Sequence, residues 1–339
     1  MSPFERLSQH GGRLCVARDA FPDAPRPWID LSTGINPHAY RAPASTARER
    51  AQLPDPARLA QLERIAGEAF RVRDVRNIIA TPGTELALRL LPSALGAKRC
   101  AVATPTYSSH ADAWRRSGAG VDELPLTAIE SSLPHDGVVI VNPNNPDGAL
   151  LTRSQILELH DRRAAKGRWL VIDEAFIDVE PDQSICDVAG TARAPQLVAL
   201  RSFGKFYGLA GVRLGFAIGA PAVIERIRDL IGEWPLSVDA LAAGLAAYAD
   251  LAWAHDMRTR LRSDAQRLDA LLTQGGLSVI GGTTLFRLTR HGDAQRLLRH
   301  LLSAGILVRP FAHDATLLRF GLPGSGTAWR RLAKALKSS

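Results

Sequence analysis

The sequence predicts an α/β protein, in which a mainly parallel sheet sandwiched by helices is joined to a smaller α+β domain. Two observations predict it. From about residue 55 to residue 218, short unbroken apolar runs take turns with stretches of helical spacing. Strands that are apolar on both faces belong to a sheet covered on both faces, and the intervening helices supply the cover. After about Trp253 this rhythm gives way to a long charged helix and then to strands around a single helix. The expected boundaries are 46–253 for the large domain, and 1–45 with 254–339 for an N-terminal arm plus a small C-terminal domain.

The elements follow in order. Residues 1–45 are rich in Pro and Gly with little periodicity, which predicts an extended arm with short elements. Ala57–Phe70 places Leu59, Leu62, Ile65, Ala66 and Ala69 at helical spacing. Asn77–Ala80 reads as a short strand, and Glu85–Leu95 as a helix opening after Thr81-Pro82-Gly83-Thr84. Cys100–Ala103 is a strand and Ser108–Ser117 a helix. Gly137–Val141 is a buried strand, Thr152–Lys166 a helix with Thr152 as N-cap, and Trp169–Ile172 the next buried strand. Leu197–Leu200 and Leu214–Ile218 are apolar runs on either side of a Gly-rich loop. The apolar-rich stretch Leu236–Ala254 contains Asp239 and Asp250, so it reads as a packed helix and not as a membrane span. The small domain is expected to hold a helix over 255–274, strands over 284–288 and 317–320, and a helix over 293–304.

Composition narrows the function classes. Cys15, Cys100 and Cys186 are odd in number and widely separated, with no CxxC or Cys/His ligand spacing. That supports neither a disulfide framework nor a metal site, and points to a reduced, cytoplasmic setting. Met1–Arg6 lacks the basic-then-apolar run of a signal peptide. The net charge of +8 is carried mostly by dispersed arginines, with no basic run and no recognition motif. Nucleic acid and membrane are therefore not the expected partners. Solvated surface charge explains most of the excess, with help for a phosphorylated substrate as an addition.

Ligands in open parallel sheets bind at the carboxyl ends of the strands. Four groups fall there. Gly83-Thr84 precedes a helix, whose first amides can meet an anion. Tyr107 follows a strand, where a flat ring can stack on a flat cofactor. Asp173 ends a buried strand, and a buried carboxylate is costly without a cationic partner; a protonated pyridine nitrogen would serve. Lys205 lies in Arg201-Ser202-Phe203-Gly204-Lys205-Phe206-Tyr207-Gly208-Leu209-Ala210-Gly211-Val212-Arg213. There one lysine and one arginine stand eight residues apart, with a hydroxyl three residues before the lysine. The lysine can condense with an aldehyde cofactor, while the hydroxyl and the guanidinium hold that cofactor's phosphate.

Taken in this order, the segments resemble the fold-type I pyridoxal phosphate enzymes, the aspartate aminotransferase superfamily. The resemblance spans nearly the whole chain. It rests on Thr81-Pro82-Gly83-Thr84-Glu85, Pro105-Thr106-Tyr107, Asn142-Pro143-Asn144-Asn145-Pro146-Asp147-Gly148, Asp173-Glu174-Ala175-Phe176 and Ser202 to Arg213. It implies pyridoxal 5'-phosphate as cofactor, with Lys205 bound to its aldehyde carbon and Asp173 paired with the pyridinium nitrogen. Asn145 would bond the ring oxygen and Tyr107 would stack on the ring. Gly83, Thr84, Ser202 and Arg213 would hold the phosphate. Arg319, in Leu317-Leu318-Arg319-Phe320, matches the arginine that clamps a substrate carboxylate, a task suited to its bidentate fork.

Two branches of the superfamily compete. The segments His10-Gly11-Gly12 and Asp30-Leu31-Ser32-Thr33-Gly34-Ile35-Asn36-Pro37 look like the threonine-phosphate decarboxylases of cobalamin biosynthesis, and so does Asp173 to Asp178. Phe176 stands where aminotransferases usually have a ring-oxygen-bonding tyrosine, and it cannot make that bond. This favours decarboxylation of L-threonine O-3-phosphate, with histidinol-phosphate-type aminotransferase activity as the alternative and a non-catalytic regulatory module as the second. The decarboxylase reading makes Arg319 and the Asn36 loop decisive for placing the carboxylate. It makes His10, with the Gly11-Gly12 amides, a candidate for the substrate phosphate. A homodimer is expected. Two further departures are Gly204, where many relatives have a serine, and Leu53, where a tyrosine often reaches the neighbouring subunit's cofactor.

Overall fold

The computed structural model describes residues 3–131 and 134–337. The chain forms two compact units. One holds Tyr40–Asn145 and Ala149–Ala254; the other holds the segment up to Ala39, Pro146–Gly148 and the segment from His255.

The first unit is built on a seven-stranded sheet. Its strands lie in the order Ile78–Thr81, Gly215–Ile218, Leu197–Ser202, Trp169–Asp173, Gly137–Val141, Arg99–Thr104 and Gly120–Pro125. Neighbouring strands are parallel from Leu197–Ser202 outward to Gly120–Pro125, and Gly215–Ile218 runs antiparallel to both of its neighbours. Residues Gly137–Val141 are buried at every position, as their unbroken apolar run requires in a central parallel strand. Val139, Val171, Val198 and Ala217 face one continuous core with Leu88, Leu91 and Trp114.

The helices start where local chemistry directs them. Asp55 accepts the Ala57 amide ahead of Pro56, and Thr152 and Gln155 form a reciprocal capping box at the head of Arg153–Ala164. One strand went unexpected and one expectation needs correction. Gly120–Pro125 is a strand that the apolar pattern does not reveal, because it lies at the sheet edge with most of its residues exposed. Leu236–Ala254 is not one helix. Val238–Ala249 ends at Asp250, whose carboxylate accepts the Trp253 amide at 2.9 Å and starts the 24-residue helix Leu251–Gln274. The aspartate competes for backbone amides and turns an apolar run into two helices.

The second unit carries a four-stranded antiparallel sheet in the order Arg309–Pro310, Leu317–Gly321, Phe286–Arg290 and Ser278–Thr283. The expected strand at 284–288 is thus the second arm of a hairpin, which turns where Thr283 Oγ1 accepts the Leu285 amide. The N-terminal arm contains two seven-residue helices, Pro3–Gln9 and Leu14–Ala20, and Ile29–Asp30 pairs in parallel with Ile306–Leu307. Among the described residues, no helix is long and apolar enough to cross a membrane.

Candidate active site

Thr81 and Ser202 both register with Gly215, so two loops leave the sheet side by side. Gly83 sits at the N-cap of helix Thr84–Leu95 with φ of 83°. The backbone demands glycine there, and a Cβ would come within 2.5 Å of Arg213 Nη2 and displace the guanidinium. The Arg213 guanidinium therefore lies against the start of the helix, where amides without helical partners gather. Arg213 itself is left-handed, with φ of 59°, and its Nη1 donates to the Ala210 carbonyl at 3.1 Å. Gly215 is equally required, because a Cβ there would strike the Thr84 amide nitrogen. The Thr84 hydroxyl donates to the Arg201 carbonyl at 3.0 Å and ties this helix to the strand leading to Lys205. Ser202 precedes the short helix Phe203–Phe206 and does not spend its hydroxyl as a cap. A helix N-terminus, a guanidinium and two close glycines make a cradle for an anion.

Lys205 lies in that short helix, between buried Phe203 and Phe206, with Nζ 5.8 Å from the centroid of the Phe176 ring. Asp173 is 4% exposed. One of its oxygens accepts the Ala175 amide at 2.9 Å, and the other lies 2.8 Å from His110 Nε2. The sequence reading missed His110. It left Asp173 waiting for a ligand as cationic partner, whereas a ring that is itself 2% exposed already holds one carboxylate oxygen. The Tyr107 ring meets His110 edge-on at 6.3 Å, and its hydroxyl donates to Glu85 at 3.1 Å. Burial, above all, raises the Tyr107 pKa. Asn145 is half-buried in a loop stapled on both sides. Asn142 exchanges two bonds with the Leu151 backbone, and Asn144 donates to the Pro105 carbonyl while accepting from Thr106 Oγ1.

In the second unit Arg319 is neither at the surface nor on an edge strand. Leu317–Gly321 lies between two other strands, and Arg319 is 5% exposed. Its Nη2 donates to the Ser32 carbonyl at 2.8 Å, and its guanidinium sits 5.0 Å from the Phe286 ring centroid. Arg309 is its direct cross-strand partner, a second residue missed from sequence. Like charges in opposed positions are unfavourable unless something anionic joins them. Burial first, then Arg309, pulls the Arg319 pKa down to about 9; burial first, then Arg13, pulls that of Arg309 down to about 10. Arg309 also donates to the carbonyls of Leu7 and Gln9, at 2.8 and 2.6 Å, and so holds the arm that carries His10.

His10 itself is exposed between the two arm helices. Of the two expected Gly11-Gly12 anion donors, one already has a partner. The Gly12 amide already donates to Ser32 Oγ at 2.7 Å, and a Cβ at Gly11 would strike the Ser32 carbonyl. These glycines let the arm pack against the residue that Arg319 binds. Asn36 is 1% exposed, and its Oδ1 accepts the His38 amide at 2.9 Å. The His38 ring in turn lies 2.7 Å from Asp264, which pins the loop.

A family model for class I and II aminotransferases matches residues 26–336. The chain belongs to the class I and II aminotransferase family. Within that family it is 35% identical to a threonine-phosphate decarboxylase from Pseudomonas aeruginosa over 331 residues, covering 97% of each chain. It is 38% identical to one from a Sinorhizobium species, covering 96% of this chain and 97% of the relative. A histidinol-phosphate aminotransferase from Mycobacterium bovis is 31% identical, covering 91% and 84%. Among solved structures, L-threonine-O-3-phosphate decarboxylase from Porphyromonas gingivalis aligns with a TM-score of 0.76 at 22% identity, covering 91% of this chain and 98% of the other. Histidinol-phosphate aminotransferase from Sinorhizobium meliloti, solved in complex with pyridoxal-5'-phosphate, aligns at 0.81 and 18% identity, covering 95% and 94%.

The departures of this family member now have physical settings. Phe176 is buried beneath Lys205 Nζ as an apolar wall. Gly204 answers to packing, because a Cβ there would lie 2.6 Å from the backbone Cα of Ala210. Leu53 is 68% exposed.

Proposed function

We propose that this protein decarboxylates L-threonine O-3-phosphate to (R)-1-amino-2-propanol phosphate, with pyridoxal phosphate as cofactor, in cobalamin biosynthesis. The observation that carries the reading is the full-length likeness to two threonine-phosphate decarboxylases, at 35% and 38% identity. The residues fit the cofactor. Gly83, Thr84 and Arg213 form an anion cradle, Lys205 supplies an amine, and Asp173 offers a buried carboxylate to a protonated ring nitrogen.

When bound, pyridoxal phosphate supplies a sink for the electron pair left on Cα as carbon dioxide departs. The protein's part is binding, orientation and proton control. Lys205 would hold the aldehyde carbon, and Tyr107 would stack on the ring. Asp173, fixed by His110 and the Ala175 amide, would favour a protonated ring nitrogen by charge pairing. Asn145 would bond the ring oxygen without help from Phe176, whose side chain has no donor. Ser202 would add a hydroxyl to the phosphate cradle.

Substrate choice falls to the second unit. Arg319, with the Asn36 loop, would bind the substrate carboxylate and so select which bond at Cα is broken. Loss of the carboxylate is decarboxylation; loss of the hydrogen is transamination. Arg309 joins His10 as a candidate for the substrate phosphate. The charge distribution supports an anionic substrate. The unit with Arg319 and Arg309 carries eighteen Lys and Arg against ten Asp and Glu, and the other unit is balanced at 24 against 24. The whole excess of +8 thus belongs to the unit assigned to the substrate's anionic groups. The reading includes a homodimer and a cytoplasmic setting, the latter supported by three free cysteines.

The test is incubation of purified protein with threonine phosphate, and separately with histidinol phosphate plus 2-oxoglutarate, scoring carbon dioxide and glutamate. Carbon dioxide from the first is the expected result. Glutamate from the second, with no carbon dioxide from the first, would transfer the protein to the aminotransferases.

A further inference from the structure

We infer that Glu85 is a positioning residue, which acts through Tyr107 to hold that ring at the angle a flat cofactor needs. The inference rests on the reading of Tyr107 as the stacking residue for pyridoxal phosphate. Glu85 is the second residue of helix Thr84–Leu95, beside the anion cradle. A carboxylate there suits the helix dipole but repels an incoming phosphate. Its presence calls for a compensating use and for neutralisation, and both are visible. Arg89, one turn on, meets Glu85 Oε1 through Nε at 2.7 Å and through Nη2 at 2.6 Å. This pair cancels the local charge and fixes the carboxylate rotamer. Oε2 is left to accept the Tyr107 hydroxyl at 3.1 Å.

The Tyr107 side chain is therefore held through both its ring and its hydroxyl. The ring meets His110 edge-on, at an interplanar angle of 87°. At its tip the hydroxyl bonds Glu85, and the Ser109 side chain hydrogen-bonds the same group. Two torsions orient a tyrosine ring, and a hydrogen bond to an ionised acceptor is the stronger kind for locking them. His110 also holds Asp173, so Arg89, Glu85, Tyr107, His110 and Asp173 form one continuous brace.

The test uses the full chain with and without cofactor. The protein has four tyrosines, so fluorotyrosine labelling gives a simple fluorine spectrum in which Tyr107→Phe identifies the Tyr107 signal. In cofactor-free protein, Glu85→Ala should move that signal, and Glu85→Gln, which keeps an acceptor, should leave it near its wild-type position. In pyridoxal phosphate titrations, Glu85→Ala and Tyr107→Phe should each weaken binding about tenfold, the scale of one lost charge-assisted hydrogen bond. The double variant should be no weaker than either single one. Losses that multiply, or a Tyr107 signal indifferent to Glu85→Ala, would overturn the inference. A signal that moves in a wild-type background unable to bind pyridoxal phosphate would uphold the positioning and refute the cofactor reading instead.

Discussion

Gly83→Ala should separate the anion cradle from ordinary backbone strain. The substitution meets two obstacles. Residue 83 has φ of 83° and ψ of 153°, a backbone region essentially reserved for glycine, and the new Cβ would sit 2.5 Å from Arg213 Nη2 and 3.0 Å from its Cζ. The first costs about 1–3 kcal/mol of stability for an L-residue. The second is cheap for folding, because the atoms that must yield are the far end of a flexible side chain. For function it is not cheap, since the guanidinium is pushed off the helix start. Losing one hydrogen bond between charged groups costs about 1.5–3 kcal/mol, or roughly 10–100-fold in affinity. Gly96→Ala is the control. Gly96 also has a positive φ, 63°, but it lies in the left-handed helical region that L-residues can reach, and an added Cβ there meets nothing within 4 Å. Both variants should melt below wild type, Gly83→Ala the further of the two. Pyridoxal phosphate affinity, measured by absorbance titration, should fall roughly 10–100-fold for Gly83→Ala and stay near wild type for Gly96→Ala. Equal affinities in the two variants would refute the Gly83–Arg213 cradle.

Four other outcomes follow from the geometry. Gly204→Ser, which restores the residue many relatives carry, should destabilise the protein by about 1–3 kcal/mol without gaining cofactor affinity, because backbone and not a side chain blocks the Cβ; an unchanged melting temperature would contradict this. Asp173→Asn should still bind pyridoxal phosphate but lose most turnover, with His110→Ala moving activity in the same direction; near wild-type kcat in Asp173→Asn would remove the charge-pairing role. Arg319→Ala should raise KM and lower kcat for threonine phosphate, since the carboxylate loses its alignment. Arg309→Ala should harm threonine phosphate far more than threonine; equal losses for the two substrates would remove Arg309 from phosphate recognition.

Six of the seven strands of the large sheet were legible because burial on both faces leaves an unbroken apolar run, as in Gly137–Val141 and Leu197–Leu200. Thr152 announced its helix because a cap is a local device, complete within four residues. Lys205, Asp173 and the Gly83-Thr84 turn were singled out the same way, as residue types placed at or just beyond strand ends. Asp250 shows the limit of that reasoning. One carboxylate competing for an amide outweighs the apolar pattern around it. What only the tertiary structure decided are relations between residues distant in sequence. His110 meets Asp173 across 63 positions, Arg213 covers Gly83, and Arg309 stands opposite Arg319 because two strands pair in that register. Sequence pattern reports how each residue relates to solvent and to its near neighbours. Which distant side chains share one charge, or one space too small for a Cβ, depends on strand order and register, and these arise only when the whole sheet closes.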